Sequence, residues 1–199
     1  MKKILFLFAL MCLLTSCSTT TSISLRILST DDCIKNDHQY MDKHYKNNYR
    51  WYECGVLLHK FLDEDGGGAI EEITNVFQIL TDGESHDTNM IIFRHTLEGD
   101  SVEIYSSLWV EEDVPMYKED VNLTFREAII KIKALPNDKL HTRHVVLRKQ
   151  LGPNNARPQY IFGNNQQLIF VDAAFGDVYF ESPSFANTGF ATWLGEWPY

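Results

Sequence analysis

Beyond residue 50 the chain alternates apolar and polar positions with a period close to two, the pattern of strands that bury one face. Tyr52 to Leu62 (YECGVLLHKFL) is apolar and partly alternating, and the acid-glycine run Asp63 to Gly68 ends it. Ala69 to Leu80 fits two templates: Ile70, Ile73, Phe77 and Leu80 would share a helix face, while Ile73, Asn75 and Phe77 alternating with Thr74, Val76 and Gln78 would suit a strand. The runs that follow decide for a strand. Asn89 to Thr96 and Ser101 to Val110 flank the turn-like LEGD and predict a hairpin, which Glu111 to Asp113 and Pro115 stop. Asp37 to Tyr52, upstream of these strands, is polar and aromatic with no clear period.

A helical signal begins at Leu123. Thr124 and Glu127 have the spacing of a capping box, in which a hydroxyl and a carboxylate satisfy the exposed amides of a first turn. Phe125, Ala128, Ile129, Ile132 and Leu135 then fall on one face, and Pro136 with Asn137 ends the element. Strands are predicted at Thr142 to Leu151, Gln159 to Phe162, Leu168 to Val171 and Val178 to Phe180. The expected fold is α+β, an antiparallel meander with one well-defined helix packed on its C-terminal part. In the last hairpin Asp172 can accept hydrogen bonds from the turn's own amides, and Gly176 can take the positive φ that closes a short loop. Both read as turn chemistry rather than catalysis, because no nucleophile or base stands beside Asp172 in the sequence.

The helix LTFREAI, the tyrosine-containing strand PQYIF and the strand running into VDAAFGDVY together resemble a PepSY-type domain over Leu123 to Glu181. Phe175 and the long loop at 152 to 158 depart from that pattern and mark a divergent relative. The resemblance implies a noncatalytic module outside the cell membrane that binds or inhibits, a protease among its candidate targets.

The N-terminus fixes the expected compartment. Two lysines, an apolar run from Ile4 to Leu14 too short to span a bilayer comfortably, and small polar residues make MKKILFLFALMCLLTSC a secretory signal. Leu14, Thr15, Ser16 and Cys17 resemble the bacterial lipobox, which implies cleavage before Cys17 and its modification by a diacylglycerol and an N-linked palmitate-type chain. Such an anchor exceeds the two-signal threshold for stable attachment. The expected organisation is a signal peptide at 1–16, a Ser/Thr-rich tether at 17–30, a β-rich region at 31–120 and the PepSY-like region with an aromatic tail at 121–199. No acidic run follows Cys17, so the lipid-anchored protein is expected to face the periplasm, from the outer or cytoplasmic membrane, with the cell surface as the alternative.

Removal of Lys2 and Lys3 with the signal leaves 16 basic against 27 acidic residues, a net charge of −11. That balance argues against nucleic acid as a partner and against docking on anionic lipid through the protein surface. With Cys12 removed and Cys17 lipidated, only Cys33 and Cys54 remain, and an oxidising compartment predicts a disulfide between them. A catalytic or metal-binding thiol pair would want a C-x-x-C spacing, which they lack. Neither a metallopeptidase H-E-x-x-H, a G-x-S-x-G elbow nor a Walker loop occurs. Gly66, Gly67 and Gly68 follow Asp63, Glu64 and Asp65, which would repel phosphate. His141 and His144, three apart on a strand, would face opposite sides of the sheet. No metal or other cofactor is expected.

The tail SPSFANTGFATWLGEWPY carries Trp193, Trp197 and Tyr199, which either dock on the sheet or form a ligand platform. Three functions are therefore weighed. The first is a lipid-anchored, noncatalytic module that binds an envelope protein or peptide, for which a free edge strand would speak. The second is a glycan-binding lipoprotein using the aromatic tail. The third is an enzyme, which would need a pocket with coupled titratable groups.

Overall fold

The computed structural model describes residues 26–46, 48–80, 89–106, 115–135, 142–149, 157–164 and 167–181. They form an α+β fold built on one antiparallel sheet of eight strands. In chain order the elements are α1 (Thr30–Tyr45), β1 (Tyr49–Leu58), β2 (Ile70–Ile79), β3 (Met90–Thr96), β4 (Asp100–Tyr105), a 3-10 turn (Lys118–Asp120), α2 (Phe125–Lys133), β5 (His144–Lys149), β6 (Pro158–Asn164), β7 (Gln167–Asp172) and β8 (Val178–Glu181). The order across the sheet is β4-β3-β2-β1-β5-β6-β7-β8.

That order is a topological duplication. Each half is one helix followed by a four-strand meander, and the first strands of the two meanders, β1 and β5, pair at the centre from Glu53↔Arg148 to Leu57↔His144. Leu123 to Glu181 makes up the second unit. The expected boundary near residue 120 falls at the 3-10 turn, and the two stretches contribute to one continuous sheet.

The predicted strand at 69–80 is β2, so the period-two reading of that ambiguous segment holds. The single expected helix is corrected to two. Alpha-1, the longer, lies across Asp37 to Tyr45, where the sequence shows no clear period. Ser29 caps it by accepting from the Asp32 amide at 3.3 Å, Asp31 and Asp32 sit in its first turn, and Lys43 and His44 in its last, all complementing the helix dipole. Thr124 and Glu127 form both bonds of the capping box at the start of α2.

Both helices cover the same face of the sheet. Cys33 and Met41 from α1 and Phe125, Ala128 and Ile132 from α2 share one core with Trp51, Ile73, Phe77, Ile91, Val145, Tyr160 and Val171. A bulge between Trp51 and Glu53 sets the phase of β1. It leaves Tyr52 and Glu53 on the face away from the helices, where Glu53 meets Arg148 across the strands at 3.4 Å, and returns Cys54, Val56 and Leu58 to the core. Two smaller apolar clusters occupy the opposite face, one around Tyr52, Val76 and Met90, the other around Ile161, Leu168 and Phe170.

Candidate functional site

Beta-4 is a terminal strand of the sheet, with β3 on one side and no strand on the other among the described residues. Its register (His95↔Asp100, Phe93↔Val102, Ile91↔Ile104) puts Asp100, Val102 and Ile104 on the helix face, and Ser101, Glu103 and Tyr105 on the opposite face. Alpha-1 lies over β1 and β2 and reaches β3 through Tyr40, whose ring meets Phe93 at 5.3 Å, and it leaves Val102 and Ile104 of β4 exposed. The consequence is an apolar shelf: Ile91 and Phe93 are 0% and 3% exposed, whereas Val102 and Ile104 beside them are 45% and 61% exposed.

A charged clamp holds this edge. His95 on β3 receives Asp37 of α1 at Nε2 (2.9 Å) and Asp100 of β4 at Nδ1 (2.7 Å), and Arg26 bonds Asp100 from the segment leading into α1. Asn75 on β2 donates to the same carboxylate, with Nδ2 2.6 Å from Asp37 Oδ2. The Asp37 carboxylate, helped by the Cys33 thiol and then by Asp100, pushes the His95 imidazole up to about 10, so the ring is an imidazolium at neutral pH. Against the burial that would raise it, Arg26 and His95 hold the Asp100 carboxyl below the usual carboxylate range.

This geometry decides what the cluster can do chemically. Cys33, His95 and Asp37 have the residue types of a thiol triad, but a catalytic thiol needs a ring nitrogen directed at its sulfur, whether as general base or as the N–H of an imidazolium partner. Both His95 nitrogens donate to carboxylates. The ring is a cross-link between α1, β3 and β4.

Cys33 and Cys54, the residues of the expected bridge, are both buried and stand as free thiols in this structure. Cys33 is turned to His95, while Cys54 sits in the β1 core, where burial and then Asp37 push its thiol up, so that it stays protonated. Asp172 and Gly176 lie together in the β7–β8 turn. Asp172 Oδ1 accepts from the amides of Ala174 (2.8 Å) and Phe175 (3.0 Å), and its Oδ2 from Arg157 at 3.1 Å. Gly176 has φ +77° and donates to the Asp172 carbonyl. The same turn receives α2, since the amides of Asn122 and Leu123 both donate to Ala173 O. Gly176→Val is expected to cost about 1–3 kcal/mol in urea unfolding, through the positive φ. Asp172→Asn should cost less than about 1 kcal/mol, because it keeps the Oδ1 acceptor and loses only a half-exposed ion pair. The reverse ranking would move this motif from scaffold to site.

Concave regions also open elsewhere among the described residues. One of about 330 Å³ opens on the face away from the helices around Gly55, walled by Leu57, Thr74 and Val146. Its rim charges are paired: Glu72 with Arg94 at 2.6 Å, and Glu71 with Arg143 at 3.0 Å. Burial lowers the pKa of His144, which lines it from β5; its expected opposite, His141, lies outside the described residues. A second region of about 350 Å³ lies between α1 and Pro115–Glu119. There the Tyr49 hydroxyl donates to Asp42 at 2.7 Å, so at 3.2 Å the Tyr49 oxygen accepts from His38 Nδ1. His38 Nε2 is left buried without a partner, and burial, then Lys118, take this ring down to about 4. Cys17, Trp193, Trp197 and Tyr199 lie outside the described residues.

No family model, curated protein or solved structure matches this chain. Among the described residues no group of three or more His, Cys, Asp or Glu side chains is placed to hold a metal ion, and no helix is long and apolar enough to cross a membrane. The sequence reading found the β3–β4 hairpin but missed the clamp, whose members lie 58 residues apart at His95 and Asp37. Only a placed α1 could have brought them together.

Proposed function

We propose that the protein is a lipid-anchored, noncatalytic envelope module that binds a protein or peptide partner by strand addition at β4. The observation that carries this reading is the edge of β4, which has no outer strand among the described residues, with Val102 and Ile104 exposed beside it, the combination that β-augmentation uses: main-chain hydrogen bonds for affinity, alternate side chains for specificity. A soluble sheet protein normally blunts such an edge with lysine, proline or a cover. Beta-4 (DSVEIY) has neither lysine nor proline. The PepSY-like features of the second unit agree with a binding role, and the locked His95 ring speaks against thiol catalysis at the most triad-like cluster. The glycan reading rests on Trp193, Trp197 and Tyr199, and nothing in the described residues favours it.

The anchor and the edge are tested in one set of cells. Cys17→Ala is expected to move the protein from the membrane fraction to the soluble envelope fraction, because the acidic surface gives anionic lipid no hold. Retention of that variant through a high-salt wash would end the anchoring idea. A photo-crosslinking residue at position 104 should yield one discrete adduct, and the same residue at the exposed Asn36 of α1 should yield none. Equal labelling at the two positions would remove β4 as the docking edge.

A further inference from the structure

We infer that the strand received by β4 belongs to a different protein, and that it alternates apolar and basic side chains in a fixed phase: apolar toward the helices, basic away from them. This rests on the partner-binding reading above and adds the chemistry of the partner. The two faces of β4 differ in kind. On the helix side Val102 and Ile104 form the exposed shelf, bounded toward the sheet by Phe93 under Tyr40. An incoming strand in register with β4 places every second side chain on that shelf, where apolar groups would bury both residues.

On the other side the strand presents Ser101, Glu103 and Tyr105, with the Tyr105 hydroxyl donating to Glu103. The nearest cation on that face, Arg94 of β3, is already spent on Glu72 at 2.6 Å. Glu103 is therefore the charge that an added strand meets, with Glu98 exposed in the adjoining turn. A lysine or arginine of the partner directly opposite would be favoured and a carboxylate disfavoured.

The same charges disfavour a second copy of this chain as the occupant. Antiparallel pairing of β4 with itself would bring two Glu103 carboxylates onto one face, between molecules that each carry a net charge of −9 over the full chain. Asp100, the acid on the helix side, does not alter the balance, because Arg26 and His95 already neutralise it.

The test uses the full chain purified in detergent and two synthetic seven-residue probes, one alternating lysine and valine, the other glutamate and valine. Amide hydrogen exchange of residues 100–105 is followed by mass spectrometry. The lysine peptide is expected to slow exchange of the β4 amides at least about tenfold at saturation, as ladder bonds form. The glutamate peptide should leave them unchanged, Glu103→Lys should reverse the preference, and Ile104→Asp should abolish protection by the lysine peptide. Equal protection by both peptides would overturn the basic phase of the partner. Protection of β4 that rises with protein concentration alone would identify a second copy as the occupant and overturn the inference. A discrete adduct at position 104 in cells together with no protection by the lysine peptide would overturn the strand chemistry while leaving the partner-binding reading standing; absence of both would remove the two together.

Discussion

His95→Ala is expected to cost about 3–5 kcal/mol of folding stability in urea titration at pH 7, as much as breaking a buried ion pair usually does. The reason is what the alanine leaves behind. Asp37 is 3% exposed and would keep only Asn75 as a hydrogen-bond donor from this junction, with no cation against it. Asp100 loses less, because it is half exposed and retains Arg26. The pH dependence is the sharper check. A histidine raised from 6.5 to about 10 on folding adds stability that is fully present below pH 6.5 and is lost as the pH rises through 10. The gap between wild type and His95→Ala should therefore be widest below pH 6.5 and close progressively between pH 6.5 and 10. Because tyrosines and lysines titrate in the same alkaline range, the difference between the two proteins is the quantity to follow. A gap that stayed constant to pH 10.5, or one below about 1 kcal/mol at pH 7, would show that the ring is not held as an imidazolium.

How legible this clamp was follows from the elements that build it. The β3–β4 hairpin announced itself through two β-rich runs flanking a turn, and α2 through its capping box and a clean apolar stripe. Alpha-1 has the same helical geometry, but the side it buries is composed of Thr30, Cys33, Asp37, His38 and Met41. Their spacing is helical and their hydrophobicity is not, so a periodicity that counts apolar residues passes over them. Two of those polar residues are received by partners outside the helix: Asn75 and His95 donate to Asp37, and Tyr49 meets His38. A pattern within one segment cannot show a hydrogen bond to a residue 58 positions away. The polar composition that hid the helix is the same feature that ties it to the edge strand. A similar limit applies to β4: alternation shows which of its residues share a face, but whether α1 reaches far enough to cover Val102 and Ile104 depends on where the helix comes to rest.

What places α1 there, apart from the clamp, is an aromatic cluster centred on Phe77, and this yields the second large effect. Phe77 is fully buried, with ring centroids of His38 at 5.1 Å, Phe93 at 5.6 Å, Tyr49 at 5.7 Å and Trp51 at 6.4 Å. His38 and Phe93 present edge-on contacts, the favoured arrangement for such rings. Phe77→Ala is expected to cost about 3–5 kcal/mol, combining lost transfer energy with a cavity that four rings on three elements cannot collapse to fill. Phe77→Leu should cost clearly less, since it restores most of the volume without the ring geometry. The local consequence separates this account from general loosening. In the alanine variant the amides of α1 and β3 should lose hydrogen-exchange protection ahead of those of α2, because α2 rests on Tyr160 and Phe162 at the other end of the sheet. If α2 loses protection together with α1 under native conditions, the two halves open as one cooperative unit, and the edge strand could not be loosened without unfolding the whole sheet.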